Sequence, residues 1–111
     1  MNAGHLLENL VFVALRRRFP RIHYYRTRQG REVDFLAQGE NRTRMLVHVC
    51  ESLVSPPTRA RELQAIEEAM TELKNREGVI VTRWESESIQ VKGGTVRVVP
   101  AWRFLLDLEI W

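Results

Sequence analysis

Gly30-Arg31-Glu32-Val33-Asp34-Phe35-Leu36-Ala37-Gln38 is the stretch on which the fold turns. From Arg31 to Gln38 it reads as a strand in which Val33, Phe35 and Ala37 share one face. Asp34 stands out, because aspartate is disfavoured in mid-strand. By strand alternation it points to the face opposite Val33 and Phe35, and Glu32 shares that face. Neighbouring carboxylates repel unless something cationic lies between them. Hard divalent cations such as magnesium prefer oxygen ligands of this kind. The competing reading is an exposed polar sheet face on which Arg26, Arg28 and Arg31 act as partners.

The flanks supply the rest of a sheet. Ile22 to Thr27 is aromatic and β-branched and reads as a strand, joined through the turn Arg28-Gln29-Gly30. Gly39 to Asn41 makes a second turn, and Arg44 to Cys50 a third strand. Three strands with short connections predict an antiparallel meander. Upstream, residues 3–18 read as a helix ended by Pro20. Leu6, Leu10, Val13 and Ala14 form its stripe, and Leu7, Val11 and Leu15 extend it round the side. A helix apolar nearly all round is expected to be deeply buried.

Downstream, Thr58 is the expected N-cap of an amphipathic helix over 58–76. Leu63, Ile66, Met70 and Leu73 form its stripe, Glu62, Glu67 and Glu72 lie off it, and Gly78 is the expected C-terminal cap. Val79 to Trp84 is an apolar strand, reached through a crossover that predicts a parallel neighbour. Ile89 to Val99 is a hairpin turning at Gly93-Gly94. Ala101 to Leu108 is a final helix expected to dock Trp102 and Leu105 on the core. The expected architecture is one α/β domain over residues 1–111, in the order α-β-β-β-α-β-β-β-α, with helices covering both faces of a mixed sheet.

Composition bounds the function classes. A chain of 111 residues is one domain, long enough to bury a core without staples. Cys50 is the only cysteine, so there is no internal disulfide. No apolar run approaches the roughly 18 residues that span a membrane. Glu8 interrupts the apolar N-terminal stretch, so no signal peptide is expected, and the expected address is the cytoplasm. Net charge is +3, and Arg16, Arg17, Arg18, Arg21, Arg26, Arg28 and Arg31 crowd the first third of the chain. Such a cluster meets phosphate, as in DNA or RNA, or forms a solvated surface. Gly93-Gly94 lacks the Lys-Ser/Thr of a phosphate loop, so no ATP site is expected.

Other side chains carry candidate chemistry. Glu8 falls between Phe12 and Leu15 on the helical wheel, away from the polar sector. A carboxylate there needs a cation, a metal or a shifted pKa, unless it stays wet in the first turn and is favoured by the helix dipole. His48 and Cys50 share a face of the third strand. Two ligands are too few for zinc. A Cys–His nucleophile pair lacks a nameable oxyanion donor. The plainer reading is a core cysteine beside a hydrogen-bonded histidine.

The order of elements and the acids together resemble a known family. Its marks are Gly4-His5-Leu6-Leu7-Glu8-Asn9, Tyr24-Tyr25-Arg26, Gly30-Arg31-Glu32-Val33-Asp34-Phe35, Thr58-Arg59-Ala60-Arg61-Glu62 and Val98-Val99-Pro100-Ala101-Trp102. The chain resembles the C-terminal domain of unknown function that follows the ATPase module in many archaeal and bacterial AAA-type ATPases. That domain is a member of the restriction-endonuclease-like, or PD-(D/E)XK, nuclease superfamily. The resemblance implies a magnesium site built from a helix glutamate, a strand aspartate and a Glu-x-Lys on the next strand. Glu8 matches the first and Asp34 the second, as the catalytic and metal-binding pair. The Glu-x-Lys positions hold His48 and Cys50, which are poor partners for a hard ion. Glu32 or, with a bulge, Glu51 would have to replace the glutamate, and Arg59 or Arg61 the lysine.

Three readings follow. The first is a nuclease-fold accessory domain of an ATPase, impaired in hydrolysis, binding nucleic acid through Arg26, Arg28 and Arg31 or binding a protein, including the ATPase module of its own chain. The second is an active magnesium-dependent endonuclease with a rearranged site. The third is a structural or homodimerising module without a nucleic-acid role.

Overall fold

The computed structural model describes residues 3–109. Its elements are α1 (Ala3–Arg16), β1 (Arg21–Arg26), β2 (Glu32–Gln38), β3 (Arg44–Val49), α2 (Pro56–Leu73), β4 (Glu77–Thr82), β5 (Glu87–Val91), β6 (Gly94–Pro100) and α3 (Ala101–Glu109). The strands form one six-stranded mixed sheet in the order β1-β2-β3-β4-β6-β5. β1, β2 and β3 are the antiparallel meander. α2 then carries the chain across to β4, parallel to β3. The last hairpin folds back so that β6 lies parallel to β4 and β5 takes the edge. That tight return needs glycine at 94, where φ is +147° and a Cβ would collide with the Arg76 carbonyl oxygen.

Two cores lie on the two faces of the sheet. Under α2 pack Val33, Leu36, Leu46, Ile80, Val96 and Val98 with Ile66 and Met70. On the other face α1 and α3 bury Val11, Leu15, Phe104 and Leu108 on Phe35, Ala37, Val47 and Val81. Val33 and Phe35 therefore lie on opposite faces, contrary to the simple alternation. The cause is a break in the β1–β2 register: His23 pairs with Leu36 and Tyr25 with Val33, so two steps along β1 span three along β2. The extra residue is a β-bulge at Asp34 and Phe35, which re-aims both side chains.

Several element ends differ from the expected ones. α1 stops at Arg16. α2 starts at Pro56, after Ser55 and with proline at its first turn, and it ends at Lys74 in the left-handed conformation. Thr58 lies inside this helix, and Gly78 is a buried strand residue, tight against Ile66 and Met70. The largest difference is in α1. Leu7, Val11 and Leu15 are the buried stripe, while Leu6 is 53% exposed, Leu10 46% and Val13 48%. Only one side of α1 meets the sheet, and the other is flanked by α3 and left half exposed. Trp102 is likewise 54% exposed, and Phe104 and Leu108 do the docking expected of Trp102 and Leu105. No described helix is long and apolar enough to cross a membrane.

Candidate functional site

The ladder between β2 and β3 ends at the pair Phe35–Val47. Beyond it the bulge turns the Asp34 carboxylate into the gap between the strands, where its Oδ2 accepts the Val49 backbone N–H at 2.8 Å. His48, buried on β3, lies beside it, with Nδ1 3.2 Å from Asp34 Oδ2. On the far side of the ring, Nε2 meets Glu62 Oε2, brought in by α2. The imidazole is thus clasped between two largely buried carboxylates. Nδ1 also lies 3.4 Å from the Asp34 backbone N–H, which it accepts only when deprotonated. In the imidazolium, Nδ1–H and Nε2–H donate to the two acids instead.

The electrostatics favour that charged form. Burial pushes the His48 pKa down, but the hydrogen bond to Glu62 and the charges of Asp34, Glu62 and Glu8 outweigh it and hold it above the ordinary value. Burial pushes Asp34 up, with His48 and the Val49 N–H pulling the other way. Glu62 is lowered: burial opposes this, but the bond to His48, its charge and Arg61 prevail. Glu8 is raised, first by burial and then by the Asp34 charge. Glu8 therefore shares the field of Asp34 and His48, as its helix position leads one to expect, while no hydrogen bond links it to them among the described residues.

The remaining candidates lie elsewhere. Glu32 is exposed on the rim and acts on Asp34 only through its charge. The Cys50 thiol donates to the Ser52 carbonyl at 3.2 Å, and its pKa is raised by burial. A nucleophilic cysteine needs the opposite shift, and no hydrogen bond joins His48 to Cys50 among the described residues. Glu51 pairs with Arg83 at 2.5 Å. Arg59 grips Glu87 through two bonds of 2.8 and 2.7 Å, whereas Arg61 Nε approaches Glu62 Oε1 at 3.3 Å. Arg61 is the only one of the two that reaches the clasp.

Of the arginines assigned to phosphate, Arg31 pairs with α2 through its side chain and Arg28 through its backbone alone. Arg31 Nη1 is 2.6 Å from Glu68 Oε2, and the Arg28 backbone N–H donates to Glu72 Oε2 at 2.9 Å. Thr27 and Tyr25 hydroxyls donate to the same two glutamates. Arg26 is exposed, with its guanidinium over the Gly30 turn. The loop from Thr27 to Arg31 is therefore fastened to an acidic helix face.

The comparisons with known proteins now bear on the fold. The family model described as a domain of unknown function, DUF4143, matches residues 3–104. The chain belongs to the DUF4143 family. The uncharacterized protein MJ1544 of Methanocaldococcus jannaschii is 38% identical over 114 residues, an alignment that covers 95% of this chain and 25% of that protein. The chain thus spans about a quarter of the length of the curated relative it matches. No solved structure matches.

Glu62 is the site residue that sequence reading missed. It lies one turn before Ile66 and continues the buried Ala65-Ile66-Ala69-Met70 stripe of α2. That i, i+4 relation was the available signal. A magnesium ion does not fit the donor set found. Among the described residues no three His, Cys, Asp or Glu side chains are placed to hold a metal ion. The two acids that face each other direct their oxygens at an imidazole instead.

Proposed function

We propose that this chain is a nuclease-fold accessory domain of an ATPase chain, silent in hydrolysis, which acts by binding a protein. The observation that carries this reading is the His48 ring between Asp34 and Glu62. In a PD-(D/E)XK site Asp34 and Glu8 would meet a hard cation, and the next strand would supply glutamate and lysine. Here the His48 ring lies between Asp34 and Glu62 and bonds to both, and burial raises the pKa of the Cys50 thiol. Both ring nitrogens of His48 are engaged by carboxylates, and a protonated thiol carries no charge to set against an attacked phosphate. The length of MJ1544 beyond the matched quarter leaves room for an ATPase module in a chain of this family.

A protein partner is favoured over nucleic acid because the loop carrying Arg28 and Arg31 is fastened to Glu68 and Glu72. The test is incubation with duplex and single-stranded DNA and RNA in magnesium and in manganese. The expected result is no cleavage and no steeply salt-dependent binding. Cleavage that Asp34→Ala abolishes contradicts the reading. Binding that weakens steeply with salt, and that Arg28→Ala and Arg31→Ala reduce, replaces the protein partner with nucleic acid.

A further inference from the structure

The side of α1 that faces away from the sheet carries Leu6, Leu10 and Val13 at i, i+4 and i+7, all about half exposed. Trp102 and Leu105 on α3 run beside it. Between the helices lie two adjoining hollows of about 340 and 580 Å³ with Leu10 and Leu105 in the lining of both, which together make up the α1–α3 groove. Trp84, 75% exposed on the turn after β4, closes one end. Two exposed tryptophans beside a leucine stripe are far from the ordinary scatter of surface apolar residues. They are the residue types that anchor protein interfaces.

The charge of the groove narrows its occupant. Its lining contains Arg17, Arg18 and Arg83 and no carboxylate among the described residues. Arg83 is paired with Glu51. Arg17, at the opposite end, is exposed and has no hydrogen bond or ion pair among the described residues. A second copy of this chain would set arginine-bearing ends against one another. A flat lipid surface does not fill a concave groove between two helices. We infer that the α1–α3 groove docks an amphipathic helix of a partner protein or module, with an apolar stripe seated on Leu10, Val13 and Trp102 and a carboxylate facing Arg17. The stripe would follow the i, i+3, i+4, i+7 spacing of helix-in-groove recognition. α1 is 14 residues long, about 21 Å at 1.5 Å per residue, room for three to four turns of a partner helix. This inference rests on reading the chain as a binding module.

Two 18-residue helical peptides with the same leucine stripe, one flanked by glutamate and one by lysine, test it against the 111-residue chain by fluorescence anisotropy. The glutamate peptide is expected to bind at least tenfold tighter than the lysine peptide. Leu10→Gln should weaken it tenfold or more with an unchanged melting temperature, since Leu10 is half exposed. Arg17→Glu should reverse the preference between the two peptides. Equal or absent binding of both peptides overturns the inference. So does binding to vesicles of phosphatidylserine and phosphatidylcholine, or dimerisation by sedimentation, that Leu10→Gln abolishes while neither peptide binds. If the peptides fail and DNA stays uncut, the groove assignment falls while the silent site stands.

Discussion

Truncating His48 to alanine would leave Asp34 and Glu62 facing one another with no cation between them. Breaking a mostly buried ion pair from one side costs about 3 kcal/mol, so His48→Ala should lower the urea midpoint markedly. Replacing all three together, by His48→Leu with Asp34→Asn and Glu62→Gln, should cost less than the single change. The pH dependence follows from the shifts. The folded pKa of His48 is raised, so its contribution is full below the ordinary imidazole value, about 6.5, and is lost as pH rises through the raised value. Glu62 has the opposite sign: its pKa is lowered, so its contribution is present above the ordinary carboxylate range and is lost as pH falls through the lowered value. Stability should therefore decline as pH rises above about 6.5, and His48→Gln should flatten that decline. Melts across pH 5 to 9, with the His48 ring proton followed by NMR, check both. In the sequence Asp34 and Glu8 were legible as anomalies, and His48 as a departure from the family's Glu-x-Lys. Their geometry was not, because it depends on a one-residue bulge that alternation does not encode.

At the scale of elements, the strands and helices were readable because their apolar periods and turn residues agree. Their ends were less so. Gly78 looks like a helix cap, yet the chain leaves α2 through Lys74 at φ 56°. A left-handed lysine is strained relative to glycine, so Lys74→Gly should stabilise the protein by about 0.5 kcal/mol in thermal or urea unfolding. Gly78 is needed for a different reason. A Cβ there would stand 2.9 Å from Ile66 Cδ1 and 3.0 Å from Met70 Sδ. Gly78→Ala should therefore push α2 off β4 and cost about 1–3 kcal/mol. The face of α1 was misjudged for a physical cause. Periodicity locates an apolar stripe, but on a helix apolar nearly all round it cannot say which stripe meets the sheet. The stripe at Leu7, Val11 and Leu15 won, and the one at Leu6, Leu10 and Val13 was left outward.

At the scale of the whole molecule, the sheet has a core on each face, one closed by α2 and the other by α1 and α3. The clasp sits where β2 and β3 part. The apolar groove lies on the outer side of α1 and α3, beyond the core beneath them. The molecule thus keeps the Asp34–His48–Glu62 cluster apart from the groove proposed for docking. The central proposal is that His48, at the position where the resemblance expects a metal-binding glutamate, leaves the Asp34 site without a metal ion. Titration with magnesium and then manganese, followed through the backbone amides by NMR with Asp34→Ala as control, tests it most directly. The account predicts no saturable shifts clustered at Glu8, Asp34, His48 and Glu62 at millimolar metal. Saturable shifts at those residues, lost in Asp34→Ala, would show a working metal site and contradict it.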